Sequence, residues 1–298
     1  MKAVTALVGL LSVSAAAAQE LDPRAYTPAP VGTTIVLGGV GGSKGGILFD
    51  PSLDVADVNA DLTIVTTGVG YTFNLGGRQA RVVAVLPVAW GTVSGDVHQS
   101  PQRQDVSGLV DPRIKLSIGL RGAPALTLAE FARTPKRSAL GASVTVVPPL
   151  GQYSGDRLVN LGYHRWAFKP EFGLSHAAGL WTIDGYLGLW LFAANDAYFP
   201  GRSRRTQDPI VSGQVHVSRA LPRRFWVAFD ATGFAGGQSF VDGAPSPDRQ
   251  LNRRLGGTLS IPIGRLQSIK LAYSTGVTTL RGSDFDTVTL TWQLVAFR

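Results

Sequence analysis

The run "GLWTIDGYLGLWLF" (Gly179 to Phe192) repeats with a period of two, and that period constrains the chain more than any other feature. Trp181, Ile183, Leu187, Leu189 and Leu191 share one parity, whereas Thr182, Asp184 and Tyr186 share the other. Successive side chains of a strand point to opposite faces, so the run predicts a β-strand with one apolar face and one that carries a carboxylate. A charge left alone in an apolar interior costs several kcal/mol. Asp184 therefore needs a polar surrounding on its own side of the sheet, and a wet channel supplies one.

The same alternation recurs along the chain. In "RIKLSIGL", Ile114, Leu116 and Ile118 oppose Arg113, Lys115 and Ser117, with Asp111 on the polar parity just before them. Trp166, Phe168, Phe172 and Leu174 oppose Arg165, Lys169 and Glu171; Val211, Val215 and Val217 oppose Ser212, Gln214 and His216. Phe225, Val227 and Phe229 oppose Asp230, and Ile269, Leu271 and Tyr273 oppose Lys270. The last run, "DTVTLTWQLVA", sets Val288, Leu290, Trp292 and Leu294 against Thr289, Thr291 and Gln293, with Asp286 assigned to the polar face. No helical period competes over such lengths.

Composition decides what kind of sheet this is. Charged residues make up only 16% of the 298 residues, and the mean hydropathy is +0.13. Yet no stretch of 18 apolar residues follows the N-terminal segment, so no membrane helix is expected. Membrane β-barrels combine these properties, because half of each strand faces lipid and half faces a polar lumen. The fold class expected is all-β: a transmembrane antiparallel up-and-down β-barrel of about twelve strands. They are placed near 32–42, 61–73, 80–91, 107–120, 138–149, 163–176, 180–193, 207–219, 224–235, 251–262, 267–278 and 285–297. Short turns ("NLGGRQ", "HAAG", "ALPRR", "GRLQ") follow even strands, and long connections such as "GTVSGDVHQSPQRQDV" and "AANDAYFPGRSRRTQ" follow odd ones. This alternation puts the short turns and both termini in the periplasm of a Gram-negative bacterium. The long segment Arg121 to Arg137 breaks the rule, and a short periplasmic helix is expected there.

The chain opens "MKAVTALVGLLSVSAAAAQE": a lysine, an apolar core and a small-residue cleavage site, which together read as a signal peptide over 1–18. The barrel then occupies 19–298. Removing Lys2 leaves 27 basic residues against 20 acidic, a net +7, and their scatter fits anionic lipid headgroups and lipopolysaccharide better than nucleic acid. There is no cysteine, so no disulfide is available. Tyr71, Phe73, Trp181, Phe225, Trp226, Trp292 and Phe297 are expected in an aromatic girdle at the periplasmic interface.

The residues assigned to the lumen are Asp111, Arg113, Lys115, Arg165, Lys169, Glu171, Asp184, Gln214, His216, Asp230, Arg254, Lys270 and Asp286. Charges of both signs can pair across the bore and narrow it, and the Pro-rich "LDPRAYTPAPVG" before the first strand is placed to tuck inside as a partial plug. His98, His164, His176 and His216 lack zinc spacing, so neither metal nor cofactor is expected. "LGGVGGSKGG" (Leu37 to Gly46) resembles a phosphate loop only superficially, since no helix follows, and reads as an outer loop. His216, Ser218 and Asp230 have a spacing similar to that of outer-membrane lipid A deacylases, which gives an enzyme alternative.

"DPRAYTPAPVG", "VDPRIKLS", "GQYSGDRLVNLGYHRWAFKPEFG", "NRRLGGTLSIPIG" and "GSDFDTVTLTWQ" occur in the order seen in the family named for the MetA pathway of phenol degradation, which this chain resembles over nearly its whole length. The sequence departs from the family at its end, where Arg298 follows Phe297. The resemblance implies an exported outer-membrane transporter that admits small hydrophobic or aromatic compounds, and it brings no catalytic motif. The function expected is thus passive uptake, with a deacylase-like enzyme or a purely structural barrel as alternatives. Asn160, Arg165 and Trp166 are expected at the outer mouth, as a stacking surface beside polar anchors.

An integral barrel should stay in the membrane pellet after carbonate extraction and migrate differently on gels with and without heating. Recovery in the soluble periplasmic fraction would contradict the assignment.

Overall fold

The computed structural model describes residues 21–48, 55–97, 100–135, 137–157, 160–199 and 201–297; the leader at 1–18 lies outside them. Twelve barrel strands follow one another: β1 (Thr33–Leu48), β2 (Val55–Leu75), β3 (Arg78–Val97), β4 in two segments (Ser100–Leu109 and Arg113–Arg121), β5 (Ala139–Val147), β6 (Ala167–Ala178), β7 (Trp181–Phe192), β8 (Ile210–Ala220), β9 (Trp226–Gly236), β10 (Gln250–Ile263), β11 (Gln267–Thr278) and β12 (Gly282–Phe297). Each pairs antiparallel with its chain neighbours, and β12 returns to β1 in a ladder from Thr33↔Phe297 to Leu48↔Gly282. The sheet is closed, so no strand presents unpaired backbone groups to lipid. All twelve strands expected from the alternation are present.

Burial follows the period. In β6 every residue from Ala167 to His176 alternates buried and exposed, with Phe168, Phe172 and Leu174 outside and Lys169, Glu171 and Ser175 inside. The hydrophobic side chains here are on the outside, the reverse of a water-soluble protein, because the solvent of that face is hydrocarbon. On the outer face, Tyr71, Trp181, Trp292 and Phe297 sit toward the periplasmic ends of their strands, while Trp90, Trp166 and Phe168 sit toward the outer ends. Two belts therefore frame the apolar band. Trp226 does not belong to either: it shares the inward parity of Asp230, and Arg24 lies 4.5 Å and Lys270 5.8 Å from its ring.

Three other expectations need correction. The glycine-rich Leu37 to Gly46 is not an outer loop; it lies within β1, paired to β2 on one side and β12 on the other. Of residues 91–106, expected to be a long loop, 91–97 and 100–106 continue the ladder from Gly91↔Val106 to Val97↔Ser100. β2 and β3, at 21 and 20 residues, are about twice what a bilayer requires and project beyond it. Asp286 is exposed on the outer face and takes a hydrogen bond from the Tyr273 hydroxyl at 3.2 Å. Its number has the parity of Val288 and Leu290, not of Thr287 and Thr289, and strict alternation puts it there.

The connections sort by side. Turns at Gly76–Gly77, Gly179–Leu180, Leu221–Phe225 and Gly264–Leu266 close the periplasmic hairpins. The expected helix is present as α1 (Leu128–Arg133), whose capping box joins Thr127 and Glu130 reciprocally. Those hydrogen bonds hold the exposed Glu130 carboxyl below its ordinary range. On the outer side, Asn195–Tyr198, Ser203–Gln207, Ser239–Val241 and Ala244–Pro245 form a separate four-stranded sheet from the connections after β7 and β9.

Leu187 stands on the lipid face of β7, 61% exposed, three residues from the fully buried Asp184 on the lumen face. Leu187→Arg should therefore cost about 2–4 kcal/mol of stability, and Asp184→Asn much less, in a reversible unfolding titration in lipid. Equal losses would contradict this register.

Candidate functional site

The lumen is crossed by the segment that precedes β1. Leu21 lies against Gly256 on β10, where a Cβ would come within 2.4 Å of Leu21 Cδ1. Arg24 donates its backbone N–H to Asp184 (3.1 Å) and its Nε to the Ser218 hydroxyl (2.9 Å), reaching β7 and β8. The Ala25 N–H donates to the Tyr186 hydroxyl at 3.0 Å. Tyr26 crosses to β5 and β6, where its hydroxyl meets Ser143 at 2.8 Å and Glu171 at 3.0 Å. Ala29 then bonds Gln79 on β3 (2.8 Å), and Val31 and Gly32 tie the segment to Leu126 and Thr72 at the periplasmic rim. Glycines make the seat: a Cβ on Gly173 would lie 2.1 Å from the Tyr26 ring, and one on Gly141 2.6 Å. Only a glycine admits that approach. The Pro-rich segment, suspected as a plug, lies inside the barrel and is bonded to five of its strands.

Around it runs a belt of buried polar side chains. Glu171 pairs with Lys169 at 2.7 Å and Lys115 at 3.1 Å, and a Cβ on Gly188 would crowd the Lys169 stem at 2.7 Å. His216 Nδ1 lies 2.7 Å from Asp230, whose other oxygen accepts from Thr258 at 2.9 Å; His216 Nε2 lies 3.2 Å from Gln214. Arg254 donates to the Phe285 carbonyl and to Ser274. Buried charges persist when they are paired and hydrogen-bonded in this way.

Above the belt, in the outer half of the barrel, the inward side chains change character. Val147, Trp190, Ile210 and Phe234 are buried against one another, with Phe192 packed on them. They wall a cavity of about 700 Å³ including its open mouth. Arg165, two residues before β6, lines it with its guanidinium 4.5 Å from the Phe192 ring and one nitrogen bonded to Gln207. Below the belt a second cavity, about 1410 Å³ including its mouth, is walled by Arg24, Thr27 and Pro28 of the plug together with Leu126, Phe131 and Leu180. The plug and belt separate two apolar vestibules.

Residues 43–291 match the family described as "MetA-pathway of phenol degradation". The chain belongs to that family. No functionally curated protein matches it in sequence. Among solved structures it is similar to the COG4313 outer membrane channel from Pseudomonas putida F1, with a TM-score of 0.78 at 20% identity over 93% of this chain and 100% of that one. It is also similar to the transport unit of the autotransporter AIDA-I from Escherichia coli, with a TM-score of 0.51 at 10% identity over 94% and 92% of the two chains. At such identities the likeness is one of fold: an outer-membrane barrel.

The residues singled out by sequence fall into four groups. Lys115, Lys169, Glu171, Asp184, Gln214, His216, Asp230 and Arg254 line the lumen at the level of the belt, and Lys270 joins them beside Trp226. Asp111, Arg113 and Arg165 line the outer chamber instead; the Asp111 carboxylate accepts from the Gly151 and Tyr163 backbone N–H groups, both at 2.7 Å, at the break in β4. Asp286 and Trp166 are outside: Trp166 stacks on Phe168 on the lipid face, although its neighbour Arg165 points in. Asn160 clamps its own loop through Ser154 and Arg157. The geometry does not assemble a nucleophile from His216, Ser218 and Asp230, because Ser218 is bonded to Arg24 and the Thr182 carbonyl while His216 is bonded to Asp230 and Gln214. Among the described residues no group of three or more His, Cys, Asp or Glu is placed to hold a metal.

Sequence reading missed Tyr26, Tyr186 and the apolar chamber. A signal was present, since Trp190 and Phe192 break the polar parity of Asp184 at the outer end of β7.

Tyr26→Ala removes the hydroxyl bonds and should weaken docking of the plug by about 1–3 kcal/mol. Gly173→Leu should displace the ring outright. Both variants should raise the swelling rate of proteoliposomes in a small sugar, while the heat-modifiable gel band stays. Rates equal to wild type in both would show that the segment does not limit passage.

Proposed function

We propose that this barrel is a passive channel through which small hydrophobic or aromatic solutes cross the outer membrane. The observation that carries the reading is the apolar chamber inside the lumen, where Trp190, Phe192, Ile210 and Phe234 take positions that alternation would reserve for polar side chains. Aromatic walls bind ring-shaped solutes by offset stacking and area burial, about 25 cal/mol per Å² of apolar surface. A solute of this kind crosses the polysaccharide face of the outer membrane poorly, so a conduit raises its influx without energy input. Family membership and the COG4313 channel support the reading, as does a second apolar cavity on the periplasmic side. The plug stands between the two cavities, so passage requires it to shift or to leave a path along the β1, β2 and β12 wall, where the inward residues include Gly39, Gly41, Thr287 and Thr289.

Deletion of the gene should slow uptake of an aromatic carbon source supplied at limiting concentration. Wild type and Trp166→Ala should both restore it, since Trp166 faces lipid, whereas Trp190→Asp should not, since it buries a charge in the chamber. Unchanged uptake of every hydrophobic compound in the deletion strain would end the proposal.

A further inference from the structure

Arg165 is 5% exposed, yet its Nη1 has no hydrogen-bond partner among the described residues. Its other terminal nitrogen is held by Gln207, whose own amide is anchored to the Gly237 carbonyl at 2.7 Å. The guanidinium plane is fixed over Phe192, so the free N–H group is aimed rather than floating. A buried donor left unsatisfied is costly, more so when it is charged, and one that sits in a cavity wall is an opening for an acceptor from outside. The Asp111 carboxylate, which lines the same chamber, is already occupied by two backbone N–H groups. Arg205 and Asp248, the charged neighbours on the loop side, pair with each other at 3.4 Å. The unanswered donor in the cavity wall is that of the Arg165 guanidinium, and the walls around it are aromatic.

We infer that the outer chamber is a binding site for small aromatic carboxylates, with the ring against Trp190, Phe192 and Phe234 and the carboxylate on Arg165. The inference rests on the channel reading above and narrows its substrate class: the preferred solute is an aromatic acid in its ionised form. Charge-assisted bonds from arginine to carboxylate are about twice as strong as neutral ones, and the surrounding apolar wall strengthens them further. A neutral solute of the same shape satisfies the ring and leaves the arginine unanswered. A cationic one meets repulsion.

The test uses the full barrel purified in detergent, with benzoate, benzyl alcohol and benzylamine as probes in calorimetric titrations. Benzoate should bind at least about tenfold more tightly than benzyl alcohol, and benzylamine should not bind. Arg165→Gln should abolish the preference for benzoate, and Arg165→Lys should keep part of it. Equal affinity for benzoate and benzyl alcohol in wild type, or a preference that survives Arg165→Gln, would overturn the inference; the wild-type comparison decides alone if the variant fails to assemble. An uptake defect on deletion without benzoate binding would leave the channel standing and remove this site. Benzoate binding without an uptake defect would do the reverse.

Discussion

Everything in this molecule depends on satisfying the peptide backbone where no water reaches. Inside a bilayer each unpaired N–H or C=O costs several kcal/mol, so a sheet survives there only if it closes. The β1–β12 seam, paired along sixteen positions, performs that closure. It also explains the glycine-rich β1: its ladder bonds to both neighbours are complete whatever its side chains are. Once the seam is made, the two faces of the sheet have different solvents, and every strand must be read as two interleaved sequences, one for lipid and one for the lumen.

Closure creates a second problem, which is how to fill the inside. Eight strands leave a bore that side chains alone can fill; twelve leave more. This chain fills the middle with paired charges and with the segment that leads into β1. The two are one structure, because Tyr26 bonds to the same Glu171 that pairs with Lys115 and Lys169, and Arg24 bonds to Asp184 beside the Tyr186 that holds Ala25. Asp184, which first suggested a wet lumen, turns out to be fully buried, and its partner is a backbone N–H of the plug rather than open water.

Strand number, topology and face were legible because alternation is a local property: each strand reports its own period. Contacts between distant segments leave no such trace. Nothing in "DPRAYTPAPVG" says that Tyr26 will stand on Gly173, although the inward glycines of β5 and β6 marked where a bulky visitor fits. Asp286 was misplaced by overriding parity with polarity: it shares the outward parity of Val288 and Leu290. Trp166 was misjudged by neighbourhood. Adjacent residues of a strand lie on opposite sides of a membrane wall, so proximity in sequence to Arg165 means separation in space. The apolar chamber was hidden because Trp190 and Phe192 share the parity of Asp184, and that parity was read as polar throughout.

The plug has an electrical consequence. With the segment seated, Glu171 and Asp184 accept hydrogen bonds from Tyr26 and Arg24, while Lys115 and Lys270 lie beside the rings of Tyr26 and Trp226. Glu171 and Asp230 are paired with neighbouring side chains as well, which reduces the field left for a passing ion. Any conformation in which the segment withdraws carries Asp22 and Arg24 away together and returns those carboxylates and ammonium groups to the bore. Such a state is not simply a wider version of the seated one. Its lining presents charges in a different arrangement, so its ion selectivity and voltage response differ from the seated form's, and currents from the two would be those of two different pores.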